Sequence, residues 1–229
     1  MKRATALLAI TLIINGIAAG QEKETRDLKG FSRINFGIAG NLEIKIGPEF
    51  SVVLQGDKSD LKEVITEVSG ESLTIRHENW RFSFNEKVDI YITMPELKDL
   101  SVSGSGKARI LDPVKSADLR FNVSGSGGIA TADISSDKLD CRISGSGNIV
   151  LGGGSVSGAN ISISGSGNFT GDAVQVKDLK AGISGSGNCV CNATETLNAG
   201  VSGSGNITYK GNPKIDARVS GSGHVRSVR

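Results

Sequence analysis

Apolar and polar residues alternate along most of the second half of this chain, and the tetrapeptide Ser-Gly-Ser-Gly interrupts the alternation at regular intervals. The tetrapeptide occurs seven times with spacings of 18 to 21 residues, and its copies begin at Ser103, Ser124, Ser144, Ser164, Ser184, Ser202 and Ser220. A near-constant period of about 20 residues is typical of solenoid proteins, in which each repeat forms one coil of a stack. An Ile or Val precedes every copy, so these residues are expected to form one inward-facing column of stacked parallel strands. The pattern predicts an all-β solenoid.

The tetrapeptide itself predicts a sharp corner, because glycine adopts the positive φ values that a tight turn requires. Glycine, proline and aspartate between the copies indicate a second, less regular corner at 112–113, 152–154, 171–172 and 211–213. Two corners in each repeat predict a flattened coil with two sheets. The first serine of every copy and the asparagine that follows four of them would stack in columns and hydrogen-bond from coil to coil. These asparagines are Asn148, Asn168, Asn188 and Asn206.

Residues 31–102 lack the tetrapeptide but keep short alternating segments, which predict degenerate coils and a cap at the N-terminal end of the stack. One helical turn is expected at 58–64, where Ser59 or Asp60 would provide the N-cap. The expected strands are 51–54, 65–68, 72–77, 88–93 and 97–102. Residues 31–229 would then form one continuous domain, with the seven repeats at 103–229.

The first 20 residues have the features of a secretory signal peptide. Lys2 and Arg3 precede an apolar run at 4–14, and small residues at 18–20 provide a cleavage site. The alternative, a membrane anchor, is disfavoured because the apolar run is too short to span a bilayer. We therefore expect an exported protein, periplasmic or at the cell surface. Its mature N-terminus at 21–30 would be flexible, and the mature chain would have no transmembrane segment.

Charge gives no reason to expect a nucleic acid or an anionic membrane as partner. The chain contains 26 Lys and Arg residues and 24 Asp and Glu residues, and the predicted signal peptide contains two of the basic ones and no acidic one. The mature chain then has 24 residues of each sign and a formal net charge of zero. Binding to nucleic acids or anionic lipids is favoured by an excess of positive charge, which this chain lacks.

Three cysteines are an odd number for a secreted protein. Cys189 and Cys191 are two residues apart and would point to the same side of a strand, while Cys141 takes a position that is apolar in other repeats. This placement favours buried free thiols, with bridged cysteines as the open alternative. Neither His77 nor His224 is close to them in sequence, so no metal site and no cofactor is expected.

The repeats do not indicate a catalytic site. Parallel β-helix enzymes that cleave polysaccharides need acid and base groups clustered on one face. The acidic residues of the repeats fall at differing repeat positions and would not form a column; they include Asp118, Asp133, Asp140, Asp172 and Asp216. The serines have no neighbouring base and are typical of turns. We expect no catalytic residues, and a polysaccharide lyase or hydrolase is the alternative.

One irregular segment carries three aromatic residues in alternation, Trp80, Phe82 and Phe84. Such spacing is also typical of side chains that cover a core. In the functional interpretation the three rings line a groove and stack on sugars, while Arg76 or Arg81 supplies hydrogen bonds. The candidate ligands are glycans or other cell-surface components.

Four basic residues cluster near the C-terminal end of the repeats, namely Lys214, Arg218, Arg226 and Arg229. Charges of one sign on a strand edge discourage pairing with another chain. We therefore expect a monomer or a weak oligomer, with association favoured at high salt because salt screens these charges.

The Gly-Ser-Gly corners, the Asn-Ile pairs after some of them, and Met94-Pro-Glu-Leu97 upstream of Val102-Ser-Gly-Ser-Gly106 resemble a family of bacterial secreted proteins. This is the autotransporter-adhesin head GIN domain family, and the resemblance covers about residues 31–226. The resemblance implies a right-handed parallel β-helix whose Gly-Ser-Gly pieces turn between two sheets. It also implies an export signal, an adhesive role and no catalytic residues. The expected function is therefore non-catalytic adhesion or glycan binding.

Overall fold

Strands make up most of residues 21–78 and 88–228, the parts of the chain that the computed structural model describes. One short helix, α1, spans Lys58–Glu63. The strands in chain order are β1 (Glu22–Arg26), β2 (Arg33–Phe36), β3 (Asn41–Ile46), β4 (Ser51–Gly56), β5 (Val64–Ser69), β6 (Ser72–His77), β7 (Asp89–Met94), β8 (Asp99–Gly104), β9 (Lys107–Ile110), β10 (Val114–Gly125), β11 (Gly128–Thr131), β12 (Ile134–Gly145), β13 (Asn148–Leu151), β14 (Gly154–Gly165), β15 (Asn168–Gly185), β16 (Asn188–Gly203), β17 (Asn206–Lys210), β18 (Lys214–Ser220) and β19 (His224–Ser227).

From β8 onward, each strand lies parallel to the strand one repeat later, and the register keeps equivalent positions opposite one another. Val123 lies beside Val102 of the preceding coil and Ile143 of the following coil. One stack runs through β8, β10, β12, β14, β15, β16 and β18, and the other through β9, β11, β13, β15, β16, β17 and β19. The protein is an all-β solenoid of about six turns, which confirms the fold predicted from the repeat period.

Each coil has three straight runs. In β12, inward and outward positions alternate up to Asp137 and Lys138, which are both exposed, and the alternation then resumes in the opposite phase. Lys177 and Asp178 interrupt β15 in the same way. The two-sheet coil expected from sequence is wrong, because each coil has this third bend. The bends at 137–138 and 177–178 were not recognised as corners because they contain neither glycine nor proline. We call the run before a Ser-Gly-Ser-Gly corner side A, the run after it side B and the third run side C.

Stacking of the corners requires glycine at both glycine positions of the tetrapeptide. Gly165 has a φ of +117°, a value that residues with a side chain rarely adopt. Gly167 has an ordinary φ, but a Cβ built on it would lie 2.4 Å from the carbonyl oxygen of Gly147 in the preceding coil. The amide of Ser166 donates a 2.9 Å hydrogen bond to the carbonyl oxygen of Gly145, so neighbouring corners are in direct backbone contact. The predicted sharp corner is confirmed.

Antiparallel strands and the helix close the N-terminal end of the stack. β4 pairs with β7, β1 with β4 and β5 with β6, all antiparallel, while Leu61 of α1 is buried in the core. The segment at 21–30, expected to be flexible, contains β1, whose five residues pair with β4. The expected helix cap is wrong, since Asp57 occupies the N-cap position and makes no side-chain capping hydrogen bond.

The inward columns form one hydrophobic core that runs from Phe31 to Ile207. Cys141, Cys189 and Cys191 are buried in it as free thiols, as favoured from sequence. Burial raises the pKa of Cys141 far above its usual range. A hydrogen bond with Cys191, followed by burial, raises the pKa of Cys189 as well. The thiols therefore act as small apolar side chains that fill the coil interior.

Candidate functional site

Most of the ligand-binding residues predicted from sequence lie outside the described residues: Trp80, Arg81, Phe82 and Phe84. Arg76 is described, and its exposed guanidinium lies 3.8 Å from the carboxylate of Glu67 in the neighbouring strand β5. After residues 79–87 the described chain resumes at Val88, whose carbonyl oxygen accepts a hydrogen bond from the amide of Asn41. The aromatic residues thus remain a prediction, and the chain resumes on side B.

A depression lies on side B in the N-terminal half of the stack, across β7, β3, β9, β11 and β13. Equivalent outward positions of these five strands form two columns. The first column contains Asp89, Asn41, Lys107, Gly128 and Asn148, and the second contains Tyr91, Glu43, Arg109, Ala130 and Val150. Neighbouring strands are about 4.8 Å apart, so the side chains of each column are in contact range of one another.

Small residues on β11 create the floor of the depression. Gly128 has no side chain and Ala130 has only a methyl group, whereas Lys107 and Arg109 precede them in the stack and Val150 follows. The resulting space has a volume of about 490 Å³ and is open to solvent on one side. Its shape suits an extended or ring-shaped ligand that lies along the stack.

The walls of the depression carry both hydrogen-bond donors and hydrogen-bond acceptors. Asn41 Nδ2 donates a 2.8 Å hydrogen bond to Asp89 Oδ1, which fixes both side chains. Among the described residues, Lys107 and Arg109 have neither a hydrogen bond nor an ion pair from their side chains, so both cations are available to a ligand. Their position next to Glu43 gives the site charges of both signs.

Tyr91 provides an aromatic surface at one end of the depression. Tyr91 is 37% exposed, so part of its ring is open to solvent. Partial burial, together with the negative charges of Asp89 and Glu43, raises the pKa of its phenol above the usual value. The hydroxyl group therefore stays protonated at neutral pH and can donate a hydrogen bond to a ligand.

Sequence reasoning missed Tyr91, Lys107 and Arg109 because it could not order the N-terminal strands. In the stack, β3 lies between β7 and β9, although it precedes both in the chain. One signal was available in the repeats. Gly128 follows its tetrapeptide where four other copies have asparagine, and an alignment of the repeats would have shown this local loss of side-chain volume.

The asparagine column begins at the rim of the depression and runs toward the C-terminal end. Asn168 donates to Asn148 over 2.9 Å, Asn188 donates to Asn168 over 3.0 Å, and Asn206 donates to Asn188 over 3.1 Å. The first serines of the seven corners are all exposed. The amides thus bond to one another along the stack, while the serine hydroxyls of the corners face solvent.

The described residues contain no cluster of three or more His, Cys, Asp or Glu side chains that could bind a metal ion. Within the same residues no helix has the length and apolar character to cross a membrane. On side A, Asp140 lies between Arg120 and Asn160 in register, so acidic residues there alternate with other types. The charged side chains and the tyrosine of the side-B depression are suited to binding a polar ligand.

Solved structures of bacterial proteins share this fold. A protein of Bacteroides fragilis NCTC 9343 described as "a putative adhesin" is 25% identical, with a TM-score of 0.87 over 93% of this chain and 100% of that chain. A "putative lipid binding protein" of Parabacteroides distasonis ATCC 8503 is 26% identical, with a TM-score of 0.76 over 92% of this chain and 98% of that chain. A "putative adhesin" of the same strain, 23% identical, has a TM-score of 0.75 over 91% and 97% of the two chains and shows the same fold.

The search of curated proteins found no match to this chain. A family model does match, over residues 30–213, which include the N-terminal coils and six of the seven tetrapeptides. This agrees with the resemblance seen in the corners and in the segment before Val102. The chain belongs to the family described as "putative auto-transporter adhesin, head GIN domain".

Proposed function

We propose that this protein is an exported, non-catalytic adhesin that binds glycans of a cell surface through the side-B depression. Membership of the adhesin family supports an adhesin-like role and a surface or exported location. The ligand class comes from the chemistry of the depression. One observation carries the proposal: an exposed tyrosine ring lies near two cations that have no partner among the described residues.

Sugars match this arrangement because they present apolar ring faces and many hydroxyl groups. The exposed ring of Tyr91 can stack on a sugar face, and its hydroxyl group can donate a hydrogen bond. Asp89 and Glu43 accept hydrogen bonds from sugar hydroxyls. Lys107 and Arg109 donate strong hydrogen bonds to carboxylate or sulfate groups, so glycans with acidic sugars fit the site better than neutral ones.

The aromatic segment predicted from sequence is a second part of the same proposal. Val88 follows that segment directly, and the next residue, Asp89, is part of the depression. We extend the proposal to Trp80, Phe82 and Phe84 on the basis of the sequence alone: their rings would add stacking surface for the same ligand. Arg76 lies on the strand that precedes the segment.

A glycan array with the purified exported protein tests the proposal. We expect binding to a subset of glycans enriched in acidic sugars, and loss of binding in Tyr91→Ala with an unchanged melting temperature. Thr170→Ala is the matched control, because Thr170 faces outward from the same column two coils beyond the floor. An array without any bound glycan, or equal losses in both variants, would contradict the assignment of this site.

Two further outcomes would redirect the proposal. Glu43 and Asp89 lie diagonally on adjacent strands, a spacing of about 7–8 Å that also occurs between the carboxylates of glycosidases. Release of oligosaccharides from a bound polysaccharide, abolished by Glu43→Gln, would favour the enzymatic alternative. Binding to phosphatidylcholine vesicles without glycan binding would favour a lipid ligand, the class named for one structural relative.

A further inference from the structure

The C-terminal end of the stack exposes residues that every earlier coil buries. Ile215 and Val219 of β18 are 43% and 45% exposed, whereas their equivalents in β16, Leu197 and Val201, are 1% and 4% exposed. Ala217 between them is exposed as well. Among the described residues, apolar side chains of the inward columns are thus uncovered at this end of the stack only.

The two ends of the solenoid differ in this respect. Helix α1 and strand β1 cover the N-terminal end, where Leu61 and Val64 are 3% and 1% exposed. At the other end, the outer edges of β18 and β19 pair with no strand in the described part of the chain. A head-to-tail stack would place the open end of one copy against the closed end of the next. If instead the open ends of two copies face each other, each copy covers the exposed apolar residues of the other.

The sequence of β18, Lys-Ile-Asp-Ala-Arg-Val-Ser, is complementary to itself in the antiparallel direction. When two copies pair with Ala217 opposite Ala217, Asp216 of each strand faces Arg218 of the other. Ile215 of each then faces Val219 of the other on the core side. Asp216 and Arg218 point to the same outer face, with Oδ2 and Nη2 3.7 Å apart within one chain. Opposite charges in directly facing positions stabilise a strand pair.

Neighbouring registers lack this complementarity. A shift of two residues, the smallest that keeps apolar residues inward, brings either Arg218 opposite Arg218 or Asp216 opposite Asp216. Like charges in facing positions are destabilising. We propose that the β18 edges of two copies pair antiparallel about Ala217, which joins the two cores in an end-to-end dimer with two-fold symmetry. This symmetry closes the assembly at two chains, as in most homo-oligomers.

This dimer differs from the monomer or weak oligomer expected from sequence. That expectation considered only the basic residues at this end and left out Asp216, which lies between Lys214 and Arg218 on the same outer face. With Asp216 included, the edge alternates in sign around its centre. A strand edge with charges of alternating sign favours pairing with a second copy of itself in one register. An edge with only basic residues would repel a second copy.

Charge reversal tests the register. Asp216→Arg and Arg218→Asp each replace two attractive contacts of the dimer by two repulsive ones, and both positions are exposed, so the fold should not change. We expect sedimentation velocity of the full exported chain to show a dimer, and each single variant to raise its dissociation constant at least about tenfold. An equimolar mixture of the two variants restores both pairs, and so does the double variant. We expect both to dimerise like the wild type.

Cross-linking tests the position of the two-fold axis. Cα atoms directly opposite in an antiparallel pair are about 4.5 or 5.5 Å apart, and a disulfide accommodates both distances. Mild oxidation of Ala217→Cys should therefore give a covalent dimer, while Ala173→Cys, at an exposed position in the middle of the stack, should not. The native thiols are buried and will not compete. A wild type that is monomeric at all concentrations, single variants that dimerise normally, or equal cross-linking of both cysteine variants would overturn the proposal.

Discussion

The substitution Gly167→Ala tests whether direct stacking of the corners holds the solenoid together. A Cβ at this position would lie 2.4 Å from the carbonyl oxygen of Gly147 and 2.4 Å from Cγ2 of Ile143. The isoleucine can rotate away, but the carbonyl group belongs to the neighbouring corner and accepts a hydrogen bond from the amide of Asn168. The two corners can therefore separate only if the ladder between them is distorted.

Two contributions set the expected loss of stability. Insertion of a methyl group into a well-packed interior costs about 1–3 kcal/mol. Weakening of the hydrogen bond between Asn168 and Gly147 adds about 0.5–1.5 kcal/mol. The sum, about 1.5–4.5 kcal/mol, corresponds in a chain of this size to a melting temperature lower by roughly 3–18 °C. Differential scanning calorimetry or far-ultraviolet circular dichroism with rising temperature measures this shift directly.

Gly200→Ala is the matched control. Gly200 lies in strand β16 of the repeats, its φ is not positive, and a Cβ there would meet no atom within 4 Å. Alanine there reduces the freedom of the unfolded chain, so we expect no loss and a gain of up to about 1 kcal/mol. If Gly167→Ala is as stable as Gly200→Ala, the corners tolerate a side chain, and the explanation of the tetrapeptide by close backbone stacking is wrong.

Three other predictions concern the core, a surface ion pair and the thiols. Ile163→Asp should unfold the stack or lower its stability by several kcal/mol, because it buries an unpaired charge. Ser162→Asp on the outward face should have no such effect. Equal melting temperatures of the two variants would show that Ile163 does not face inward. The hydrogen bond from Lys210 lowers the pKa of Asp172 below its ordinary value of 3.8. The stability that this pair contributes, below about 1 kcal/mol because both side chains are partly exposed to solvent, is present above pH 3.8 and is lost as the pH falls through the lowered pKa. Denaturation of wild type and Asp172→Asn should thus converge at low pH, and a constant difference would refute this sign. Finally, the buried thiols with raised pKa should not react with a thiol reagent at pH 8 (about one unit below a free thiol's pKa) until the chain is unfolded; rapid labelling of the native protein would show that the coil interior opens.

The repeats made the coil predictable because stacking places equivalent residues of successive repeats in contact. Val123 lies beside Val102 and Ile143, its equivalents in the neighbouring coils. Each repeat position must therefore hold a residue that packs well against residues of the same type, and the sequence period equals the structural period. The third bend could not be read in this way, since Asp137 and Lys138 carry no turn signal beyond a break in alternation. Nor does β1, with only polar and charged residues, have the apolar alternation that marks a strand.

The candidate site on side B was less predictable than the coil for a topological reason. Its two columns combine β7, β3 and β9, which are adjacent in space in an order that the chain does not follow. Tyr91 therefore looked like one more outward residue of an alternating strand. Its neighbours Glu43 and Arg109 are distant in sequence, and only the register brings the three side chains into one column.

The depression and the open end lie at opposite ends of one stack, and this separation makes the solenoid a spacer of defined length. Five strand spacings separate β11 from β19 on side B. In the proposed dimer the two depressions would therefore be about 50 Å apart along the common axis. Each coil added to or removed from the chain would change this distance by about 10 Å without altering either site. Coil number would then determine which spacing of glycans on a surface can be bound by both sites at once, and so the avidity of the pair.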